Sequence, residues 1–159
     1  MERVDACGGA AREGAAGVHL VIGGMNPVGK EGSEAMKQTY RPRVADGGRP
    51  VAFGVPEADA GTDTTNSSTR AIRDGDEYIV RGRKIWTSKA LESEKVLLLV
   101  RTMPLEDCAK RTDGMTLLLV NLRDPAVDIR AIPKAGPNAV ASVEVSYDYL
   151  RVNRHDLVC

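Results

Sequence analysis

Between Pro50 and Val152 the chain carries short apolar runs of strand length, and turn residues separate them. Asp74-Gly75-Asp76 lies between two such runs, residues 69–73 and 77–81. Asp-Gly flanked by strand-like sequence is the strongest short-range hairpin signal. Residues 51–55, 84–88, 95–101, 115–122, 127–132 and 143–150 complete the set, and Asp113-Gly114 and Asp124-Pro125 mark turns between them. That is about eight strands in about 105 residues. No gap has room for a crossover helix, so the spacing predicts a mainly β fold: an antiparallel β-barrel or a small sandwich.

The N-terminal third reads differently. Gly8-Gly9, Gly14, Gly17 and Gly23-Gly24 break up residues 1–30, each costing a helix ~1 kcal/mol. Residues 18–22 are apolar and read as a buried helical turn. Ser33 is an N-cap candidate, and Glu34 suits the positive end of a helix dipole. Met36 and Tyr40 share one face of the helix predicted over 33–45. Pro42 is expected to bend or restart it, and Gly47-Gly48 to stop it.

Charge and composition exclude several classes. Lys+Arg 22 equals Asp+Glu 22, so no basic excess is available to track a phosphate backbone. Val96-Leu97-Leu98-Leu99-Val100 is among the longest apolar runs, far short of a membrane span. Cys7, Cys108 and Cys159 form no C-x-x-C pair, which reads as reduced thiols in a cytoplasmic compartment. His19 and His155 have no ligand spacing to any cysteine, so no metal site is expected. The first residues, Met1-Glu2-Arg3-Val4-Asp5, lack the apolar core of a signal peptide. With one Phe, one Trp and four Tyr, the core must come from Val, Leu, Ile and Ala, and a base-stacking surface is not expected.

One stretch carries more information: Phe53-Gly54-Val55-Pro56-Glu57-Ala58-Asp59-Ala60-Gly61-Thr62-Asp63. A strand ends, small residues follow, and hydroxyls gather at Thr62, Thr64 and Thr65. Small residues let backbone amides approach a ligand, and turn amides hold anions. Read alone, the segment is a solvated Ser/Thr loop before it is a ligand site.

This stretch resembles the acyl-CoA dehydrogenase signature, usually Thr-Glu-Pro, two small residues, then Gly-Ser-Asp. Lys84-Ile85-Trp86-Thr87-Ser88 is similar to that family's Lys-x-Trp-Ile-Thr strand. Gly32-Ser33-Glu34-Ala35-Met36-Lys37-Gln38-Thr39-Tyr40-Arg41-Pro42 resembles the helix feeding its β domain. Ile132-Pro133-Lys134 and Val145-Ser146-Tyr147-Asp148-Tyr149-Leu150-Arg151-Val152 resemble its closing strands. Order and spacing agree over residues 17–158.

The resemblance implies a middle-domain β-barrel over residues 49–159 and a remnant of an N-terminal helical domain over 1–48. It implies FAD as cofactor, an acyl-CoA substrate and an electron-transfer flavoprotein as electron acceptor. A homo-oligomer or a complementing chain is implied, with no nucleic acid and no membrane span. The family reaction is α,β-desaturation: a carboxylate removes the α-proton while a hydride leaves the β-carbon for the flavin. Carried over residue by residue, the backbone of Phe53, Val55 and Gly61 cradles the flavin. Thr62 replaces a serine that touches both cofactor and substrate. Trp86, Thr87 and Ser88 complete the cofactor contacts, with Ser88 keeping a hydroxyl for the ring near N5. Apart from the resemblance, a lone tryptophan in a small barrel packs in the core, and Ser88 is a solvated strand end.

The sequence departs from the family at Pro56, where a threonine is usual, at Ala58, where a proline is usual, and at Asn153, where Val-Pro normally closes the last strand. The family's catalytic glutamate sits in a C-terminal helical bundle, expected beyond Cys159, so no catalytic residue is assigned. Glu57 belongs to the signature and reads as structural. Two other functions fit the same residues: a non-catalytic β-barrel module or truncated product that binds flavin, acyl-CoA or another protein weakly, and a related flavin-dependent oxygenase.

Overall fold

The structure is a computed structural model that describes residues 25–45, 51–133 and 141–159. The readings for Cys7, His19, residues 18–22, Gly47-Gly48 and Lys134 fall outside the described residues. Among the described residues two helices come first, α1 (Met25–Glu31) and α2 (Glu34–Ala45). Ser33 caps α2, its hydroxyl accepting from the Met36 amide at 3.3 Å. Glu34 in the first turn bonds Lys37 at 2.9 Å. The helix runs on past Pro42 rather than stopping there, giving up the one ladder bond that proline cannot donate.

Seven strands follow: β1 (Val51–Gly54), β2 (Arg70–Asp74), β3 (Glu77–Ser88), β4 (Lys95–Arg101), β5 (Met115–Asn121), β6 (Val127–Ala131) and β7 (Ser142–Asn153). They form one sheet in the order β1-β4-β2-β3-β7-β6, with β5 also paired to β4. The mainly β architecture with short N-terminal helices agrees with the sequence. Three details differ. First, residues 77–81 and 84–88 are not two strands but one, β3. Gly82, at φ +150°, lets the strand bend without breaking. Second, β1 pairs with β4 in parallel, Val51 opposite Lys95 and Gly54 opposite Leu98. The whole β2–β3 hairpin lies between them, which is connection enough for parallel pairing. Third, the sheet is curled but open: among the described residues β6 does not pair back onto β5.

The hairpin is as its sequence predicts. Asp74 pairs with Glu77, and Gly75 takes φ +62° in the two-residue turn. β4 and β5 show why their sequences are continuously apolar. Val96, Leu98, Val100, Leu118 and Val120 face the concave core with Val80, Val143, Val145 and Leu150. Leu97 and Leu119 face the other way, packing with Val28 of α1, Met36 of α2, Val51 and Val158. Both faces of these strands are therefore dry, as in sheets covered by helices. The last residues add to the β5 edge, with Val158 donating to the Leu117 carbonyl and Leu117 to the Cys159 carbonyl, each at 2.8 Å.

β3 and β7 share two irregularities. Between Lys84–Val145 and Thr87–Val143, two β3 residues oppose one β7 residue. Between Val80–Leu150 and Gly82–Tyr147, two β7 residues oppose one β3 residue. Each bulge holds a left-handed aromatic, Trp86 at φ +59° and Tyr149 at φ +53°. Bulges re-aim side chains, and both of these stand exposed.

Gly82 sets the course of β3 past the neighbouring loop. A Cβ there would lie 2.6 Å from the Thr69 Cα. Gly82→Ala should destabilise the fold by about 2–4 kcal/mol, from overpacking plus the positive φ. Urea unfolding of the variant beside the parent measures this.

Candidate functional site

The signature segment leaves β1 and returns to β2 as a closed loop, and a buried ion pair closes it. Lys84 shares its strand parity with Val80, so it points inward, where it is 0% exposed. A charge there needs a partner. Its ammonium donates to Glu57 Oε1 at 2.8 Å, Ser67 Oγ at 3.0 Å and the Val55 carbonyl at 3.1 Å. Glu57 in turn accepts from the far side of the loop. Ser67 Oγ and the Thr69 amide (3.0 Å) donate to Oε1; the Ser68 amide and hydroxyl, each at 2.7 Å, donate to Oε2. Burial by itself pushes the Glu57 carboxyl up. The bonds from Lys84, Ser67, Thr69 and Ser68 outweigh that and hold it well below the usual carboxylate range. Burial pushes the Lys84 ammonium down, and Glu57 partly offsets this.

The site residues read from the sequence fall on both sides of this tie. Phe53 is 45% exposed and Trp86 53% exposed. Core packing is therefore not the role of Trp86, and the reason is its left-handed backbone, which turns the indole away from the core. Val55 and Ser88 are half-buried, while Gly61 and Thr62 are exposed. Gly61 has φ +57° with open space where a Cβ would stand, so a ligand could meet the backbone directly. Thr87 is different: fully buried on the core side, its hydroxyl without a partner among the described residues. Neither its side chain nor its backbone is exposed. The signature and the Trp86 bulge are joined by one bond, the Ile85 amide to the Pro56 carbonyl at 2.9 Å.

Sequence reasoning missed a second buried cation. Arg101, 8% exposed, ends β4 and spreads its guanidinium between two loops. Nη2 donates to the carbonyls of Thr65 (2.6 Å) and Arg111 (3.0 Å), and Nη1 to that of Asp113 (3.1 Å). An arginine closing an apolar strand was the available signal, but its acceptors are backbone carbonyls, which no residue pattern marks. Among the described residues no group of His, Cys, Asp and Glu could hold a metal ion. No helix of the described residues is long and apolar enough to cross a membrane. A cleft of about 440 Å³ opens elsewhere, lined by Ser33, Asp76, Asn153, Arg154, His155 and Leu157. It shares no residue with the Phe53–Trp86 face.

The family model for the acyl-CoA dehydrogenase middle domain matches residues 52–150, from the second residue of β1 to the middle of β7. The acyl-CoA dehydrogenase FadE26 of Mycobacterium tuberculosis is 39% identical over 112 residues, 70% of this chain and 28% of the relative. The ChsE4–ChsE5 complex from Mycobacterium tuberculosis superposes with TM-score 0.82 at 33% identity, covering 94% of this chain and 38% of the matched one. A glutaryl-CoA dehydrogenase from Mycobacterium smegmatis, solved with FADH2, gives TM-score 0.75 at 27% identity, covering 84% and 33%. The chain thus spans well under half the length of the proteins it matches.

The ion pair makes a double prediction. Glu57→Gln leaves the Lys84 charge buried without a counter-charge, which should cost about 3–5 kcal/mol, while Glu57→Gln with Lys84→Met should recover much of it. The acid limb follows from the carboxyl. Its folded value is depressed, so its stabilisation is present above the ordinary 4.5 and fades as pH falls below it. Chemical denaturation at stepped pH should show the parent weakening below that value, and the double variant weakening less steeply.

Proposed function

Because the chain belongs to the acyl-CoA dehydrogenase family through its middle domain over residues 52–150, we propose that it forms one wall of a flavin site. The enzyme it serves desaturates an acyl-CoA thioester. The observation that carries this reading is the Trp86 bulge beside the signature loop: a left-handed, exposed indole tied through Ile85 to Pro56. Strained backbone that bares an aromatic side chain is a mark of ligand sites. The residues fit an isoalloxazine. Phe53 and Trp86 offer apolar ring surface, Gly61 an open backbone, and Thr62 and Ser88 hydroxyls. Thr87, fully buried, supports this wall from the core side.

A bound flavin would take the hydride from the acyl β-carbon at N5. This chain's part is to hold the ring, exclude water from the Phe53–Trp86 side, and direct the Ser88 hydroxyl toward N5. Thr62 is proposed to meet the thioester side as well. The carboxylate that takes the α-proton is proposed to lie outside these 159 residues. Glu57 is a poor base because five donors already occupy it and hold it ionised at low pH. Residues 1–48 are read as part of a preceding helical domain and 49–159 as the barrel. A second chain, alike or different, is proposed to help complete the site in the cytoplasm, with an electron-transfer flavoprotein as acceptor. The exposed rings also suit a non-catalytic module that binds another protein, and flavin titration separates the two readings.

With one wall alone, FAD should bind at about micromolar strength or weaker, followed by quenching of flavin fluorescence. Trp86→Ala should weaken binding by about tenfold or more. Because the indole is largely exposed, unfolding free energy should change by under about 1 kcal/mol. Ser88→Ala should remove one hydrogen bond, ~0.5–1.5 kcal/mol of binding. Parent-like affinity in both variants, or no quenching with the parent, would sink the flavin reading. Rapid bleaching of bound FAD by acyl-CoA under anaerobic conditions, lost in Glu57→Gln, would instead place a base within this chain.

A further inference from the structure

We infer that Arg101 is the positioning residue of the Thr62 loop, fixing residues 61–66 against residues 103–113 from beneath. The inference rests on the flavin reading only for what the loop is positioned to meet. The loop's own bonds are local: Asp63 Oδ1 accepts from the Thr65 amide at 3.1 Å and from its hydroxyl, and the amides of Asp63, Thr64, Asn66 and Ser67 donate to carbonyls two or three residues back, so none of these ties it to the facing loop. The 3-10 turn Thr64–Asn66 contains no buried residue, and neither does the turn Leu105–Asp107 in the facing loop. No fully buried side chain therefore anchors either turn, Leu105 being half-buried. The outer contacts between the loops, Arg111 to Asp63 at 2.8 Å and to Thr65 Oγ1 at 3.0 Å, are exposed and worth little in salt.

The Arg101 guanidinium is buried instead. Besides the carbonyls of Thr65, Arg111 and Asp113 it reaches the Met103 carbonyl at 3.5 Å and Cys108 Sγ at 3.6 Å. None of these acceptors is a carboxylate. A buried cation without a counter-ion is expensive, and here the return is geometric: a rigid planar fork that fixes carbonyls from two loops at set angles. Its backbone lies in register as well, the Arg101 amide donating to the Thr69 carbonyl at 2.8 Å. Glu57 thus closes the neck of the loop, and Arg101 holds its tip. Lysine keeps the charge but gathers its donors at one point, so it cannot hold all three carbonyls at the spacing of the arginine fork.

The test uses the full chain and two readouts. In Arg101→Lys, amide hydrogen exchange should rise about tenfold in residues 61–66 and 103–113, the equivalent of one lost charged hydrogen bond, with β4 and β5 unchanged. Flavin affinity should fall about tenfold. Adding Arg101→Lys to Thr62→Ala should cost little more than Thr62→Ala alone, since both act through one contact. Unchanged loop exchange, exchange rising equally through the strands, or additive losses of affinity would each overturn the assignment. So would a failure to fold in both Arg101→Lys and Arg101→Met, which would make Arg101 a support of the whole sheet. If the parent takes no flavin, the flavin reading fails, and the exchange map alone decides whether Arg101 holds the loop.

Discussion

A lysine ammonium with no solvent exposure has to find its counter-charge inside the fold, and in this protein the Lys84–Glu57 contact at 2.8 Å determines where everything near the site goes. Lys84 is on β3, two residues before Trp86. Glu57 is in the signature segment, and its other donors come from residues 67–69. One carboxylate therefore ties three stretches of chain that the strand ladder does not join. Taking both charges out of water is costly, and each group recovers that cost only through the complete set of bonds. The network is consequently close to all-or-none. A loop closed this way keeps its shape without apolar anchors, leaving its outer surface free to be polar, small and exposed.

The two bulges of the β3–β7 pair extend the same logic to the strands. A left-handed Trp or Tyr costs on the order of 1–3 kcal/mol, and neither side chain recovers it by burial. Tyr149 recovers some from Arg81, which lies 5.0 Å from the ring centroid and bonds the phenol at 3.1 Å. Trp86 has no comparable contact among the described residues. The sheet is long and continuously paired on both sides of the bulge, so it can hold the strain. The uncompensated strain thus falls on the bulge that the Ile85 amide ties to the signature segment.

Much of this was legible beforehand, for reasons that differ by element. The β2–β3 hairpin was legible because Asp-Gly admits few alternatives. β4 and β5 were legible as apolar runs, and α2 from its Ser33 cap. The single strand β3 was not, since Gly82 looks like a break until one knows that both halves pair with β7 across the bulge beside it. Parallel pairing of β1 with β4 was hidden because local sequence does not name a strand's partner. At the candidate site, the signature marked the loop that the Lys84–Glu57 pair closes, but Thr87 was grouped with its neighbours. Counting by two from the inward Lys84 would put Trp86 inside and Thr87 outside; the bulge reverses that parity where the motif is read. Lys84 and Glu57 were visible as letters of two motifs; their contact was visible only as a parity argument, an inward lysine needing an acid.

Pro56 shows how the fold separates two duties of one residue. In the family a threonine stands there, able to offer a hydroxyl and an amide. Proline removes both donors. Its carbonyl, however, still accepts from the Ile85 amide, so the junction between the signature loop and the Trp86 bulge is intact. On the proposed flavin reading, the change therefore subtracts from what the wall would give a ligand and leaves the wall's position alone. Proline also fixes φ in the unfolded chain, which favours the folded loop by ~0.4–1 kcal/mol where the conformation suits it. A site that loses a donor while its scaffold is kept or stiffened relies more on contacts supplied from elsewhere. That is the physical ground for expecting a second wall to contribute much of the flavin affinity.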